Sequence, residues 1–255
     1  MFFPNTINVA TGNRDIWLYD VARELKTRFT SDPAEKRHPT WSPDGRWIAF
    51  NSNRKGHFDL YRKPSNGTGT EELLYADAKE KYPNSFSPDG KWLLYMVYLD
   101  PSSKDQLWIL PVEETPPGER KPVPFAQTRF NSSWGEFSPD GRWIAYVSDE
   151  SDRNEIYVAP FPGPGRKWRI STAGGDQPLW RSDGKEIFYI SADRKLMTAE
   201  VTSKGDEFEV RSVRPLFEPI PPELRPLVRC FRRRPALPCS YRGSAEQFRA
   251  ADGGP

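Results

Sequence analysis

Four aspartates recur at the same place in a repeated phrase of this sequence: Asp44, Asp89, Asp140 and Asp183. Carboxylates serve proteins as general acids and bases and as ligands of divalent metal ions. Successive aspartates are 45, 51 and 43 residues apart, and each is followed by glycine. A period of that size indicates a repeated supersecondary unit, so we expect the fold to separate the four carboxylates. Turn stabilisation explains them, and we predict neither a metal site nor an acid–base pair.

The sequence also lacks the residues that nucleophilic catalysis and phosphoryl transfer require. The chain has two histidines, His38 and His57, and no Gly-x-Ser-x-Gly elbow, whereas serine hydrolysis needs a nucleophile, a base and an orienting acid. We interpret both histidines as turn or surface residues. The segment Gly67-Thr68-Gly69 comes closest to a phosphate-binding loop but lacks a following Gly-Lys-Ser/Thr. We therefore predict no catalytic residue, no enzyme activity and no cofactor.

The aspartates lie in tight turns between strand-like segments. Proline presets φ for the first turn position, aspartate bonds back to the local backbone, and glycine takes the positive φ that a following bulge requires. The fourth turn, Arg181-Ser182-Asp183-Gly184, lacks proline, and Glu186 replaces the tryptophan found after the other three. The residues predicted to build the turns are Pro43, Asp44, Gly45, Pro88, Asp89, Gly90, Pro139, Asp140, Gly141, Asp183 and Gly184.

Four short alternating segments per period are typical of a propeller blade. We place the units at 13–30, 38–77, 82–127, 131–172 and 176–218, and interpret the first, with two strands at 15–21 and 26–30, as half a blade. The prediction is an all-β fold: a β-propeller of four-stranded antiparallel blades, with four blades and a half blade visible. The nine tryptophans are interpreted as packing between sheets rather than as stacking platforms for nucleic acid.

The charge of the chain divides at the end of the repeats. The formal net charge is +2, but seven arginines and three acidic residues give residues 223–255 a charge of +4, which leaves −2 for the remainder. An acidic body gives no reason to expect nucleic acid. Both cysteines, Cys230 and Cys239, lie in the basic segment and could form a disulfide or remain free thiols. We predict that residues 219–255 form a disordered tail.

No stretch approaches the roughly 20 apolar residues of a membrane-spanning helix, so we predict no membrane span. The start, Met1-Phe2-Phe3-Pro4, lacks the pattern of a secretory signal. The sequence begins in the middle of a repeat, so we expect a missing upstream segment that could carry a signal or an anchor.

The phrases at 41–50 (Trp-Ser-Pro-Asp-Gly-Arg-Trp-Ile-Ala-Phe) and 137–146 (Phe-Ser-Pro-Asp-Gly-Arg-Trp-Ile-Ala-Tyr) resemble the WD40-like PD40 repeat of TolB-type β-propellers. This resemblance implies blades around a central channel, commonly six, and a periplasmic or extracytoplasmic location. Because fewer blades are visible, the chain would be a fragment or an open part of a six-bladed ring. The stretches 160–165 and 174–189 look most like the carboxy-terminal propellers of bacterial receptor-like serine/threonine kinases.

A propeller without catalytic residues can bind a ligand at the mouth of its central channel. We expect one mouth to consist of the segments that lead into the first strand of each blade and those that follow the second strand. Their mixed charges favour a protein or peptide over a small apolar ligand, although a merely solvated rim would have the same composition. The residues predicted to bind there are Arg37, His38, Arg54, Lys81, Tyr82, Asn131, Arg153 and Gln177.

Three hypotheses follow from the sequence. The first is a non-enzymatic module for protein or peptide binding, either TolB-like or the sensor part of a receptor-like kinase. The second is the amino-terminal propeller of a dipeptidyl peptidase IV or prolyl oligopeptidase-like serine peptidase without its catalytic domain. The third is a gene fragment without function.

Overall fold

The computed structural model describes residues 5–7, 13–98, 104–112, 116, 119–126, 128–163 and 165–217. The predicted disordered tail at 219–255 lies outside the described residues, and so do Cys230 and Cys239, for which a disulfide and free thiols were both left open. In the described part of the chain, no helix has the length and hydropathy that crossing a membrane requires.

Within the described residues, five antiparallel sheets follow one another along the chain, and in each the strands lie side by side in chain order. The first sheet has three strands and the other four have four each, as the all-β propeller prediction requires. The strands are β1 (Asn5–Ile7), β2 (Arg14–Asp20) and β3 (Leu25–Arg28); β4 (Lys36–Trp41), β5 (Trp47–Ser52), β6 (Asp59–Pro64) and β7 (Glu72–Tyr75); β8 (Glu80–Phe86), β9 (Trp92–Tyr98), β10 (Gln106–Pro111) and β11 (Val123–Ala126); β12 (Ser132–Phe137), β13 (Trp143–Ser148), β14 (Glu155–Pro160) and β15 (Trp168–Arg169); β16 (Asp176–Trp180), β17 (Glu186–Ile190), β18 (Leu196–Lys204) and β19 (Glu207–Phe217).

The first and last sheets differ in detail from the sequence prediction. β1 pairs with β2 through Asn5↔Ile16 and was missed because a strand of three residues shows no alternation. In the last sheet, β18 and β19 form a long hairpin around Gly205, whose φ is 59°. The pairing Ser203↔Phe208 carries the ladder to the turn.

The repeated turns are built as their residues predict. In the first turn, the Ser42 hydroxyl donates a hydrogen bond to the Asp44 carboxylate and accepts one from the Trp47 N–H at 2.9 Å. The Ser42 carbonyl accepts a hydrogen bond from the Gly45 N–H at 3.0 Å. The four turn glycines have φ between 72° and 78°. Burial acts to raise the pKa of Asp44, but hydrogen bonds from Ser42 and Arg46 outweigh it and lower the pKa to about 2. The aspartates thus stabilise their own turns.

The fourth turn replaces the missing residues by ion pairs. Arg181 stands where the other turns have serine, and its guanidinium binds both Asp183 and Glu186. The hydrogen bond from Arg181 holds the pKa of Asp183 below its usual range. Arg181 and Glu186, which both depart from the repeat, therefore compensate each other.

Consecutive turns lie close together, a proximity on which the expectation of separated carboxylates did not bear. A Cβ on Gly141 would lie 3.3 Å from Cδ of Pro88, in the preceding sheet, and a Cβ on Gly184 would lie 3.9 Å from Cδ of Pro139. Among the described residues, however, no group of three or more His, Cys, Asp or Glu side chains could hold a metal ion.

The core lies in the seams between sheets rather than in one centre. One cluster joins the first and second sheets around Ile16 and Phe50, another joins the fourth and fifth around Trp143 and Trp180, and the remaining seams have clusters of their own. Both faces of the inner strands are covered, so Ile48, Ala49 and Phe50 are all 0% exposed. Among the described strands, each extensive inter-sheet contact joins sheets that are consecutive along the chain.

Candidate functional site

The candidate site lies at one end of the sheets, which we call the mouth. At this end the chain enters the first strand of each sheet and leaves the second strand. The first strands, β4, β8, β12 and β16, contact one another in order. Three of them are bulged at equivalent positions four residues before the turn. There His38, Trp134 and Gln177 have φ of 52°, 52° and 53°.

These three conformations are unusual because none of the residues is glycine. A non-glycine residue in the left-handed region costs about 1–2 kcal/mol. The equivalent residue of β8 is Pro83, whose ring forbids a positive φ, and this strand shifts register one residue later, between Pro83 and Ser85. Strain repeated at one position of several first strands sets the direction of the side chains at the mouth.

The bulges bring together aromatic rings from three sheets. The His38 ring lies 5.1 Å from the Tyr82 ring in an edge-to-face arrangement and 6.5 Å from the Trp134 ring, measured between centroids. We call His38, Tyr82 and Trp134 the mouth cluster. An edge-to-face contact such as that of His38 with Tyr82 contributes about 0.5–1.5 kcal/mol beyond its buried area. The sequence prediction contained His38 and Tyr82 but missed Trp134. The bulge at Trp134 breaks the strand alternation from which the face of its side chain would be predicted.

Two further residues support the mouth cluster. Phe58 stacks on Tyr82 at 6.3 Å between centroids, and the Arg37 guanidinium lies 4.8 Å above the Phe58 ring. Arg37 is also held by Glu35, with Nε 2.8 Å from Oε1. Burial raises the pKa of Tyr82, and the nearby Glu80 carboxylate adds to this. The Tyr82 hydroxyl therefore stays protonated and able to donate a hydrogen bond at neutral pH.

The other predicted residues lie apart from this cluster. Arg54 turns toward the outer strands, where its guanidinium lies 4.3 Å from the Tyr61 ring and pairs with Glu71. Asn131 sits on the rim and donates to both carboxylate oxygens of Asp149 through its N–H groups. Arg153 is 62% exposed and pairs with Glu155 at 3.2 Å.

Lys81 requires a correction. Its side chain is 0% exposed, and its ammonium lies 2.8 Å from the carboxylates of both Asp59 and Asp77. It therefore ties the third sheet to the second instead of facing a ligand. Lys36 occupies the equivalent position one sheet earlier, also 0% exposed, with Asp32 at 3.0 Å and Asp15 at 4.0 Å.

The two later seams have no lysine at this position. In the next seam, the strand registers place Ser132 and Gln106 where Lys81 and Asp59 lie. In the last seam Gly175 takes the position of the lysine, and the carboxylate of Glu155 accepts hydrogen bonds from the Ser171 hydroxyl and the Gly174 N–H. The two earlier seams do have a sequence signal. In each, a lysine lies six residues before the turn serine, and an aspartate lies at the start of the strand that packs against it.

Comparison with known proteins agrees with the architecture. Residues 4–114 match the family model of the TolB beta propeller domain, PD40. The matched stretch is less than half of the chain and runs from β1 to β10. TolB from Acinetobacter baumannii superposes with a TM-score of 0.61 at 20% identity, over 77% of this chain and 48% of that chain. This likeness shows the propeller fold.

Two other similar proteins extend the comparison. The uncharacterized protein Atu1656 of Agrobacterium fabrum is 37% identical over 59 residues, which is 23% of this chain and 20% of the relative. A puromycin-hydrolyzing peptidase of Mycobacterium tuberculosis superposes with a TM-score of 0.55 at 16% identity, over 72% of this chain and 33% of that chain. The chain thus spans about half of the TolB chain and a fifth of the curated relative.

Proposed function

We propose that this TolB-type propeller is a non-enzymatic module that binds a protein or peptide at its mouth. The observation that carries the proposal is the mouth cluster, in which two strained bulges and a third strand join His38, Tyr82 and Trp134. In the intact gene product the module would be TolB-like or the sensor part of a bacterial receptor-like kinase.

The chemistry of the mouth fits an extended peptide better than a small apolar molecule. Aromatic rings give contact area at low entropic cost, and the Tyr82 hydroxyl supplies a hydrogen bond. Around them lie charges of both signs: Arg37, the Glu80 carboxylate and the pair Asp105 and Asp149, where burial and then the Asp149 charge raise the pKa of Asp105. Because folding has already fixed the cluster, a ligand has fewer side chains to order on binding.

A peptide-display selection tests this proposal, with the full chain immobilised as bait. The matched variants are His38→Asn and His57→Asn. Asparagine tolerates the left-handed conformation of residue 38, so the first variant removes the ring without new strain. His57 lies at the same end of the sheets, in the loop after β5, with 52% of its side chain exposed. Selected peptides should bind wild type and His57→Asn and lose binding to His38→Asn. Equal enrichment of the peptides on wild type and both variants would rule out the mouth cluster as the binding site.

A second function is the substrate-gating propeller of a serine peptidase. The likeness in fold to the puromycin-hydrolyzing peptidase favours it. We predict no catalytic residue in this chain, so the genes beside it distinguish the two functions better than an activity assay. Reading frames beside the gene would add a hydrolase domain in the peptidase case and a kinase domain or Tol-Pal genes in the other.

A further inference from the structure

The seams contain equivalent gaps near the turns, at the end of the sheets opposite the mouth. Each gap lies between a tryptophan that opens the second strand of one sheet and an aromatic residue that closes the first strand of the next. The three pairs are Trp47 with Phe86, Trp92 with Phe137, and Trp143 with Trp180.

Two of these gaps are filled by a phenylalanine of the chain itself. Phe161 lies edge-to-face against Phe137 at 5.0 Å and against Trp92 at 6.0 Å between centroids. Phe208, from the long β18–β19 hairpin, lies 5.1 Å from Trp143 and 6.1 Å from Trp180. Phe208 is only 5% exposed, so the ring closes its gap.

The third gap, between Trp47 and Phe86, is a groove of about 350 Å³. Val112 occupies the position in this groove that Phe161 occupies in the next seam. The N–H of each residue donates to the carbonyl of the residue after the turn glycine, Val112 to Lys91 at 2.9 Å and Phe161 to Arg142 at 2.8 Å. In sequence, residues 113–122 (Glu-Glu-Thr-Pro-Pro-Gly-Glu-Arg-Lys-Pro) contain no aromatic residue that could take the part of Phe208.

The groove combines an apolar floor and turn prolines with the charged side chains of Asp44, Arg46, Arg62 and Asp89. The turn prolines Pro43 and Pro88 line it, and the buried side chains of Phe86 and Val112 form its floor. The Arg62 guanidinium lies 4.3 Å above the Trp47 ring and is held by Glu72 at 2.8 Å. A second ring beside Arg62 and Trp47 gains cation–π and edge-to-face contacts.

We propose that the groove between Trp47 and Phe86 binds an aromatic side chain of a protein partner, as Phe161 and Phe208 occupy its two equivalents. The groove is a second contact surface, at the turn end of the sheets. It does not depend on the mouth cluster, and a His38 variant leaves it unchanged.

The test uses the peptide acetyl-Gly-Phe-Gly-amide as probe, titrated into the full chain while the indole N–H signals are followed by NMR. The Trp47 signal is assigned with Trp47→Phe. We expect a saturable shift of Trp47 with this peptide and none with acetyl-Gly-Ala-Gly-amide. An equal response to acetyl-Gly-Arg-Gly-amide would overturn the aromatic assignment, since the carboxylates of Asp44 and Asp89 at the rim would then explain the binding.

Two matched variants make the test specific to the groove. Val112→Phe plugs it from within, as Phe161 does one seam later, and should abolish the Trp47 shift while raising the melting temperature. Phe161→Val opens the equivalent gap and should add a peptide-dependent shift of Trp92 while keeping that of Trp47. Circular dichroism confirms that both variants fold. A Trp47 shift that persists in Val112→Phe, or no shift in the wild type, would contradict the proposal.

Discussion

The substitution Lys81→Ser removes the cation of a buried ion pair and tests how the seams are stabilised. The Lys81 ammonium lies 2.8 Å from the Asp59 carboxylate, whose side chain is 4% exposed. Removing one partner of such a pair leaves an uncompensated buried charge and costs about 3–5 kcal/mol. Since domains have total stabilities of about 5–15 kcal/mol, this single change should remove a large part of the free energy of unfolding.

The chain itself supplies the rescue variant. One seam later, Ser132 and Gln106 occupy the positions of Lys81 and Asp59. The double variant Lys81→Ser with Asp59→Gln places the same two neutral residues at these positions and leaves no buried charge at Asp59, so it should recover more than half of the loss. The exposed control Lys185→Ser should stay within about 0.5 kcal/mol of wild type.

Urea unfolding, followed by tryptophan fluorescence and circular dichroism, measures all three variants. A loss below about 1 kcal/mol for Lys81→Ser would place it in the range of exposed ion pairs and refute the reasoning. A double variant as unstable as the single one would show that the seam depends on the lysine stem and not on charge compensation.

Three further predictions use the same structure. Phe208→Ala opens the gap beside Trp143 and should cost about 3–5 kcal/mol in urea unfolding, whereas Val213→Ala, at a residue 43% exposed, should cost under about 0.5 kcal/mol. Gly141→Ala should lower the melting temperature more than Gly56→Ala, because both have positive φ but only the first meets a neighbour, Cδ of Pro88 at 3.3 Å. The folded-state pKa of Asp44 is lowered from 3.8 to about 2, so its contribution to stability is present above pH 4 and is lost as the pH falls toward 2. Acid titrations of the wild type and Ser42→Ala should differ in that window, and identical curves would contradict the assigned hydrogen bonds.

The turns and the period were predictable because local chemistry fixes them. Proline, aspartate and glycine each have one reason to occupy their turn positions, and the structure has the expected strand at each side of every turn. The interpretation of the tryptophans as packing between sheets is also confirmed at Trp143 and Trp180, which are 2% and 5% exposed.

The mouth cluster and the buried lysines depend on contacts between sheets, which a single strand does not reveal. His38 and Trp134 are separated by two turns in sequence, and their bulges reverse the alternation that predicts which face a side chain takes. Lys81 looked like a rim residue because lysine is rarely buried without a partner. Asp77 is only four residues away in sequence, but Asp59 becomes a neighbour of Lys81 only when the second and third sheets stack.

The most direct test of the recognition function is the dissociation constant of a display-selected peptide, measured by isothermal titration calorimetry against the matched histidine variants. The proposal predicts that His38→Asn weakens binding at least about tenfold, or 1.4 kcal/mol, while His57→Asn stays within about twofold. Equal affinities for wild type and His38→Asn, with both proteins folded, would contradict a binding site built on the mouth cluster.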